Sequence, residues 1–403
     1  MEFDGLNSDP DRIGYSQLYN GGAFQRRVKI LDTTLREGEQ SPGISFTTKQ
    51  RLQIGWMLDY FGVDAIEISP IVSESHFESC KRLISAGLSA QIVAHGRALK
   101  EDIDVALSCG ASFYAMYHSI SDIHLKYKLK VTREQALQRT IEAVEYAKAH
   151  GLGVRVTLED ASRADPGFAR EFAIAVYRAG ADRVSVPDTV GAMRPAGMYR
   201  LVSNIRDAVP IPIDVHCHND LGLALANALA GYEAGADQIH TTIGGIGERT
   251  GITDLAQLIF ALYFLYGLKL NVRYQMISDL YHLLEEYTSY RVPPSAPLVG
   301  SSAYKHKAGT HIAAILNNPH AYELVPPEFT GNRRRVIFGD LVGKNGSLFL
   351  MKILGINADE SMAKSLAAGV KKLQIADLFE LELNQDLIKR ITEANRVESN
   401  NTS

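Results

Sequence analysis

One regularity constrains the fold more than any other. From residue 28 onward, an apolar strand-like run ending in polar residues is followed by an amphipathic helical stretch, and the unit recurs eight times. The strand-like runs are Val28–Leu35, Ala65–Ser69, Ala90–Ala94, Ser112–Tyr117, Gly153–Leu158, Arg183–Val186, Ile211–Val215 and Gln238–Thr242. Helical stretches such as Thr48–Phe61, Arg133–His150 and Asp254–Tyr266 lie between or after them. A glycine often stands just before the next strand, as at Gly62, Gly151 and Gly235, where a helix end favours a left-handed backbone. This alternation predicts an α/β fold, a (β/α)8 TIM barrel. An open dinucleotide-binding sheet would need a glycine-rich fingerprint after its first strand, and Arg36-Glu37-Gly38-Glu39 is not one.

The pattern divides the chain. Residues 1–25, rich in Gly, Asn and Asp, read as a loosely ordered N-terminal extension, and residues 26–270 as the catalytic barrel. Residues 271–300 read as a helix followed by a linker marked by Pro293, Pro294 and Pro297. Residues 301–403 form a smaller, mostly helical C-terminal region that opens on the polar stretch Ala303–His311. A net charge of −4 leaves no basic stripe for nucleic acid. The apolar run Leu258–Leu265 is too short to cross a bilayer. A polar, acidic start at Met1–Arg12 and three cysteines at no metal-like spacing fit a soluble protein of the reducing cytoplasm.

Chemistry in such a barrel sits at the C-terminal strand ends. The first run, Val28–Leu35, passes into Arg36, Glu37 and Gln40, and the seventh ends in Asp214-Val215-His216-Cys217-His218-Asn219-Asp220. Side chains alternate along a strand, so His216 and His218 share a face and Cys217 opposes them. Two imidazoles and a carboxylate make a divalent-metal set with open positions for a chelating substrate. Glu37 is the carboxylate chosen, with Asp32 as a group that orients a ligand. Other strand ends bring His95, then Arg155, Thr157 and Glu159 on one face, then Asp188 and Thr189, and finally the loop Gly244–Arg249. The cationic members suit an anionic substrate with more than one carboxylate.

The run Leu31–Gln40, with His216-Cys217-His218-Asn219-Asp220 and Gly245-Ile246-Gly247-Glu248-Arg249, resembles the acetyl-CoA-dependent Claisen-condensing synthases. That family includes homocitrate, 2-isopropylmalate and citramalate synthases, and the resemblance covers roughly residues 28–350. It implies that Glu37, His216 and His218 hold Zn, Mn or Mg, and that Arg36 and Gln40 contact the 2-oxo acid. It further implies that Thr189 holds the C1 carboxylate, and that Glu159, His311 and Tyr322 form the acid–base group. Gly245 and Gly247 are the candidate contacts of the coenzyme. The family's C-terminal region reaches the active site of the other subunit, which implies a homodimer.

Within the family, Gly247–Thr253 resembles the homocitrate synthases. Arg155 stands where they grip the distal carboxylate of 2-oxoglutarate, and His95 matches a further polar contact of that pocket. Thr157 replaces their usual serine. The expected reaction joins acetyl-CoA and 2-oxoglutarate into homocitrate and free CoA, a step of lysine biosynthesis. The alternatives are the same chemistry on another 2-oxo acid, a metal-dependent aldolase or lyase, and a non-catalytic dicarboxylate sensor.

Overall fold

A strand that feeds a helix must find its next neighbour in parallel, and eight such units close the sheet on itself. The computed structural model describes residues 6–21, 24 and 26–384. Its barrel runs in chain order: β1 (Lys29–Asp32), β2 (Ala65–Ile68), β3 (Gln91–Arg97), β4 (Phe113–Ser119), β5 (Gly153–Glu159), β6 (Arg183–Asp188), β7 (Ile213–Cys217) and β8 (Gln238–Thr241). Closure is made by Leu31 of β1, in register with Ala65 of β2 on one side and His240 of β8 on the other. Helix ends follow local chemistry. The helix Thr48–Phe61 starts on a Thr47/Gln50 capping box and stops at Gly62, whose φ is +108°.

One difference from the sequence pattern bears on the site. The first strand ends at Asp32 rather than continuing to Leu35. Its carboxylate Oδ1 accepts the Thr34 N–H at 2.8 Å, a side-chain turn that competes with the ladder. Arg36 and Glu37 therefore stand on the turn that leads into the short 3-10 helix Gly38–Gln40, not on the strand itself.

The barrel lumen is divided. Leu31, Ala65, Val93 and Ala115, from β1 to β4, form one small apolar cluster inside it. The strands opposite send Arg155, Asp214 and His240 inward, all buried and joined by polar contacts. The main core lies outside the sheet, where Ile30, Ile66, Val154, Val184 and Val215 meet the surrounding helices.

The helix Ile277–Tyr287, expected as a linker, buries Ile277, Leu280, Tyr281 and Leu284 in that same outer core. Beyond it, the helices Gly309–Asn317, Lys344–Ile353 and Glu360–Leu373 accompany a small sheet of β9 (Lys305–His306), β10 (Arg335–Phe338) and β11 (Phe379–Glu382), ordered β11-β10-β9. The sheet adds to the expected helices. Its outer strands are two residues of intermediate exposure and a largely exposed Phe-Glu-Leu-Glu, so they carry no apolar alternation to read. The expectation for residues 399–403 lies outside the described residues.

The beginning of the chain, expected to be irregular, has helical turns at Pro10–Ile13 and Ser16–Tyr19, with Ile13 buried. Arg12 Nη1 donates to the carbonyls of Glu323 (3.1 Å) and Leu324 (2.7 Å), which ties this segment to the turn that carries Tyr322. Arg12→Ala is expected to leave the barrel's unfolding transition in place. Amide hydrogen exchange at residues 319–325 should speed up by about tenfold, the loss of roughly 1.4 kcal/mol of local protection. Unchanged exchange there would show that the tie carries no load.

Candidate active site

Glu37, His216 and His218 converge above the lumen, all three buried. The two Nε2 atoms are 3.3 Å apart, and they lie 3.9 and 4.0 Å from the Glu37 carboxylate oxygens. Ligands about 2.1 Å from one ion stand about 3–3.5 Å from each other, so a small inward adjustment lets the three hold a divalent cation. The imidazoles suit the task chemically. Burial pushes both down from their usual value, reinforced for His216 by His218 and Arg36, so their nitrogen lone pairs remain available. Glu37 Oε1 accepts the Glu248 N–H at 3.0 Å, and its other oxygen pairs with Arg36.

Two glycines of the β8 loop have a visible structural task. A Cβ on Gly247 would lie 3.1 Å from Glu37 Cγ and Oε1, so a side chain here would crowd the carboxylate and shift it. Gly245 has φ +63°. Gly251 in turn leaves room for the Gly245 carbonyl, which a Cβ at position 251 would meet at 1.8 Å.

Beneath the three candidate ligands runs a chain of alternating charge. Arg36, already paired with Glu37, places Nε 2.6 Å from Glu67 of β2. The other Glu67 oxygen takes Arg155 Nη2 at 2.5 Å. Arg155 Nη1 lies 3.7 Å from Asp214, and Asp214 is held by Arg183 at 2.5 Å. Burial alone would raise the Glu67 carboxyl, but Arg155 and Arg36 outweigh it and hold it well below the usual range. Burial likewise opposes ionisation of Asp214, and Arg183 overcomes it with the help of His240. Three guanidinium groups thus face three carboxylates.

The remaining candidates occupy different parts of the rim. His95 receives a contact from Ser69 Oγ at 3.0 Å and stacks on Tyr117, and burial pushes it down to about 3. Thr189 Oγ1 accepts the Asp160 N–H, which leaves its hydroxyl proton free to donate. Glu159 accepts Lys128 Nζ on both oxygens, at 2.6 and 2.8 Å, and the Ser119 hydroxyl on one. Gln40 is exposed on the 3-10 helix. His311 and Tyr322 stack on one another, with centroids 3.8 Å apart. Among the described residues, no hydrogen bond or ring contact joins that pair to Glu159 of the same chain. Asp32 is buried and accepts the Thr34 N–H, and among the described residues no hydrogen bond joins it to the three candidate ligands.

Glu67, His240, Tyr117 and Lys128 were not marked by sequence patterning. Glu67 had a readable signal, a lone carboxylate in the otherwise apolar Ala65-Ile66-Glu67-Ile68. A buried strand carries such a residue only with a partner.

Fold and site together define a (β/α)8 barrel enzyme whose three candidate metal ligands crown an ionic lumen. The comparisons with known proteins narrow this. The HMGL-like family model matches residues 27–284, and the model described as homocitrate synthase post-HMGL domain-like matches residues 298–378. A probable 2-isopropylmalate synthase of Methanopyrus kandleri is 44% identical over 86% of this chain and 70% of its own length. A homocitrate synthase of Pyrococcus abyssi is 42% identical over 85% and 94%. Homocitrate synthase AksA of Methanopyrus kandleri is 40% identical over 86% and 87%. The solved HMG-CoA lyase of Bacillus subtilis shares the fold at 19% identity, with a TM-score of 0.61 over 67% of this chain and 97% of that one. The chain belongs to the HMGL-like family, in its acetyl-CoA-dependent condensing synthase branch. No helix among the described residues is long and apolar enough to cross a membrane.

Asp32 yields a pH prediction. Burial pushes its carboxyl up to about 7 from an ordinary 3.8, and Oδ2 has no partner. Between those values the unfolded chain has released a proton that the folded chain keeps. This group therefore withdraws stability as pH rises, by at most about 1.4 kcal/mol per pH unit. Asp32→Asn keeps the acceptor for Thr34 and removes the charge. Urea unfolding should show the variant gaining on wild type from about pH 4 to about pH 7. A constant difference between the two proteins would refute the assignment.

Proposed function

We propose that this chain condenses acetyl-CoA with 2-oxoglutarate, giving homocitrate and CoA. The charge balance of the lumen supports this reading most directly. Its guanidinium and carboxylate groups cancel, so a divalent cation leaves two positive charges, which a dianionic 2-oxo acid neutralises and a monoanion does not. Arg155 Nε and the hydroxyls of Thr157 and Ser185 are buried without partners. Thr157 and Ser185 are neighbours in register on β5 and β6, and these donors suit a distal carboxylate.

A divalent ion held by Glu37, His216 and His218 would supply Lewis acidity to the 2-oxo carbonyl. Thr189 donates to the C1 carboxylate, and Gln40 and His95 line the acceptor's surroundings. Arg36, fixed by Glu67, faces the keto oxygen and stabilises the negative charge that grows on it as the carbon–carbon bond forms. Glu159 takes a proton from the acetyl methyl, and the resulting carbanion attacks the keto carbon. In a homodimer, His311 of the partner subunit and Tyr322 of the partner subunit complete the acid–base group, a reading supported by the lack of any hydrogen bond or ring contact from this pair to Glu159 among the described residues of one chain. Water then cleaves the thioester and releases CoA. Gly245 and Gly247 border the coenzyme's approach.

One observation favours a second reading, a 2-isopropylmalate-type reaction on an apolar 2-oxo acid: Arg155 is already engaged by Glu67 and Asp214. A panel of 2-oxoglutarate, 2-oxoisovalerate, pyruvate and oxaloacetate, assayed for thiol release from acetyl-CoA, separates the two. The expected result is a kcat/KM for 2-oxoglutarate about 100-fold or more above the others, as a desolvated charge pair provides. A preference for 2-oxoisovalerate would overturn the proposal, and release of CoA with no acceptor would place the chain outside the condensing reaction. His311→Ala should lose about 10²–10⁴-fold in kcat while still binding 2-oxo acid, the range of a lost acid–base group. Wild-type turnover in that variant would remove His311 from the mechanism.

A further inference from the structure

The metal-binding reading leaves His240 without a role, although this buried ring touches three members of the site. Its Nδ1 is 3.2 Å from His216 Nδ1. Its Nε2 is 3.2 Å from Asp214 Oδ2 and 3.3 Å from Arg155 Nη1. Two neutral imidazoles that meet through their Nδ1 atoms share a single hydrogen, so one ring must donate and the other accept. Only two complete patterns exist.

In the first, His216 carries its proton on Nδ1 and gives it to His240. His216 Nε2 is then bare, facing His218 Nε2 and Glu37. His240 carries its own proton on Nε2 and donates to Asp214, which Arg183 anchors. In the second, His240 donates from Nδ1, and its bare Nε2 accepts from Arg155. His216 must then carry its proton on Nε2, where a metal would bind. That pattern also sets a ring lone pair against the Asp214 carboxylate. The carboxylate selects the first pattern, because N–H to carboxylate is a charge-assisted bond and two lone pairs repel. His218 has no such support, as its Nδ1 is buried without a partner.

We propose that His240 is a positioning residue for the metal, a relay from Asp214 that holds His216 in its ligating tautomer. This rests on the metal reading of Glu37, His216 and His218, and it is independent of which 2-oxo acid is used. The consequence is a division of labour between the two histidine ligands. His216 is set before the cation arrives, and His218 is oriented by the cation itself.

The test uses Co²⁺ alone on the full chain, with binding read by titration and by the visible absorption of the bound ion. His240→Gln retains an acceptor for His216 and a donor for Asp214, and His240→Leu has neither. The expected result is a Co²⁺ affinity within about 3-fold of wild type for His240→Gln and about 10–100-fold weaker for His240→Leu, the usual range for a lost partner of a ligand. Folding of both is checked by circular dichroism. Equal affinities in all three proteins, or equal losses in both variants, would overturn the proposal while the metal site stands. A wild-type chain that binds no Co²⁺ would overturn the metal reading and this inference with it. Should His240→Leu not fold, ¹⁵N-histidine spectra of the metal-free wild type decide. A proton on His216 Nδ1 upholds the relay, and a proton on Nε2 refutes it.

Discussion

The bond from Glu67 to two arginines is the interaction on which the site depends. Its carboxylate reaches Arg36 with one oxygen and Arg155 with the other, joining the β1 turn to β5 across β2. Buried ion pairs give little net stability, because desolvating the charges offsets their attraction. What they give is geometry. A guanidinium caught between two carboxylates has few orientations left, so Arg36 is held in place by Glu37 and Glu67. Loss of one member would strand its neighbours and cost about 3–5 kcal/mol.

The division of the lumen explains why this network can exist. Leu31, Ala65, Val93 and Ala115 from β1 to β4 form the apolar part, and long polar residues fill the rest. Arg155 crosses the barrel to Glu67 instead of lying along its own strand. The tight seating of Glu37 follows from the loop at the barrel mouth, where Gly247 admits the carboxylate and the Glu248 N–H fixes one oxygen. The backbone at this end positions one candidate ligand, the ion chain positions Arg36, the seventh strand supplies His216, and His218 follows one residue past its end.

Much of this architecture was legible in the residues. Eight apolar runs with glycine-terminated helices announce a closed parallel barrel, and period two in Asp214–His218 puts both imidazoles on one face. The early end of β1 was not legible, because its apolar run continues to Leu35 and the strand is broken by a single side-chain turn at Asp32. Nor was the partnership of Glu67 with Arg155. These residues are 88 positions apart, and pairing across a lumen leaves no trace in local spacing. The small C-terminal sheet escaped because β11 is mostly exposed. The order at the N-terminus escaped because Arg12 binds carbonyl oxygens, which every residue offers.

The alternating chain also bears on how such a barrel changes over evolutionary time. Arg155 touches two carboxylates, so an acidic or apolar replacement there would leave Glu67 with Arg36 alone and Asp214 with Arg183 and His240, each buried carboxylate short of one cation. A change at Arg155 is thus coupled to matching changes on β2 and β7. The residues of three strands are inherited here as one linked set.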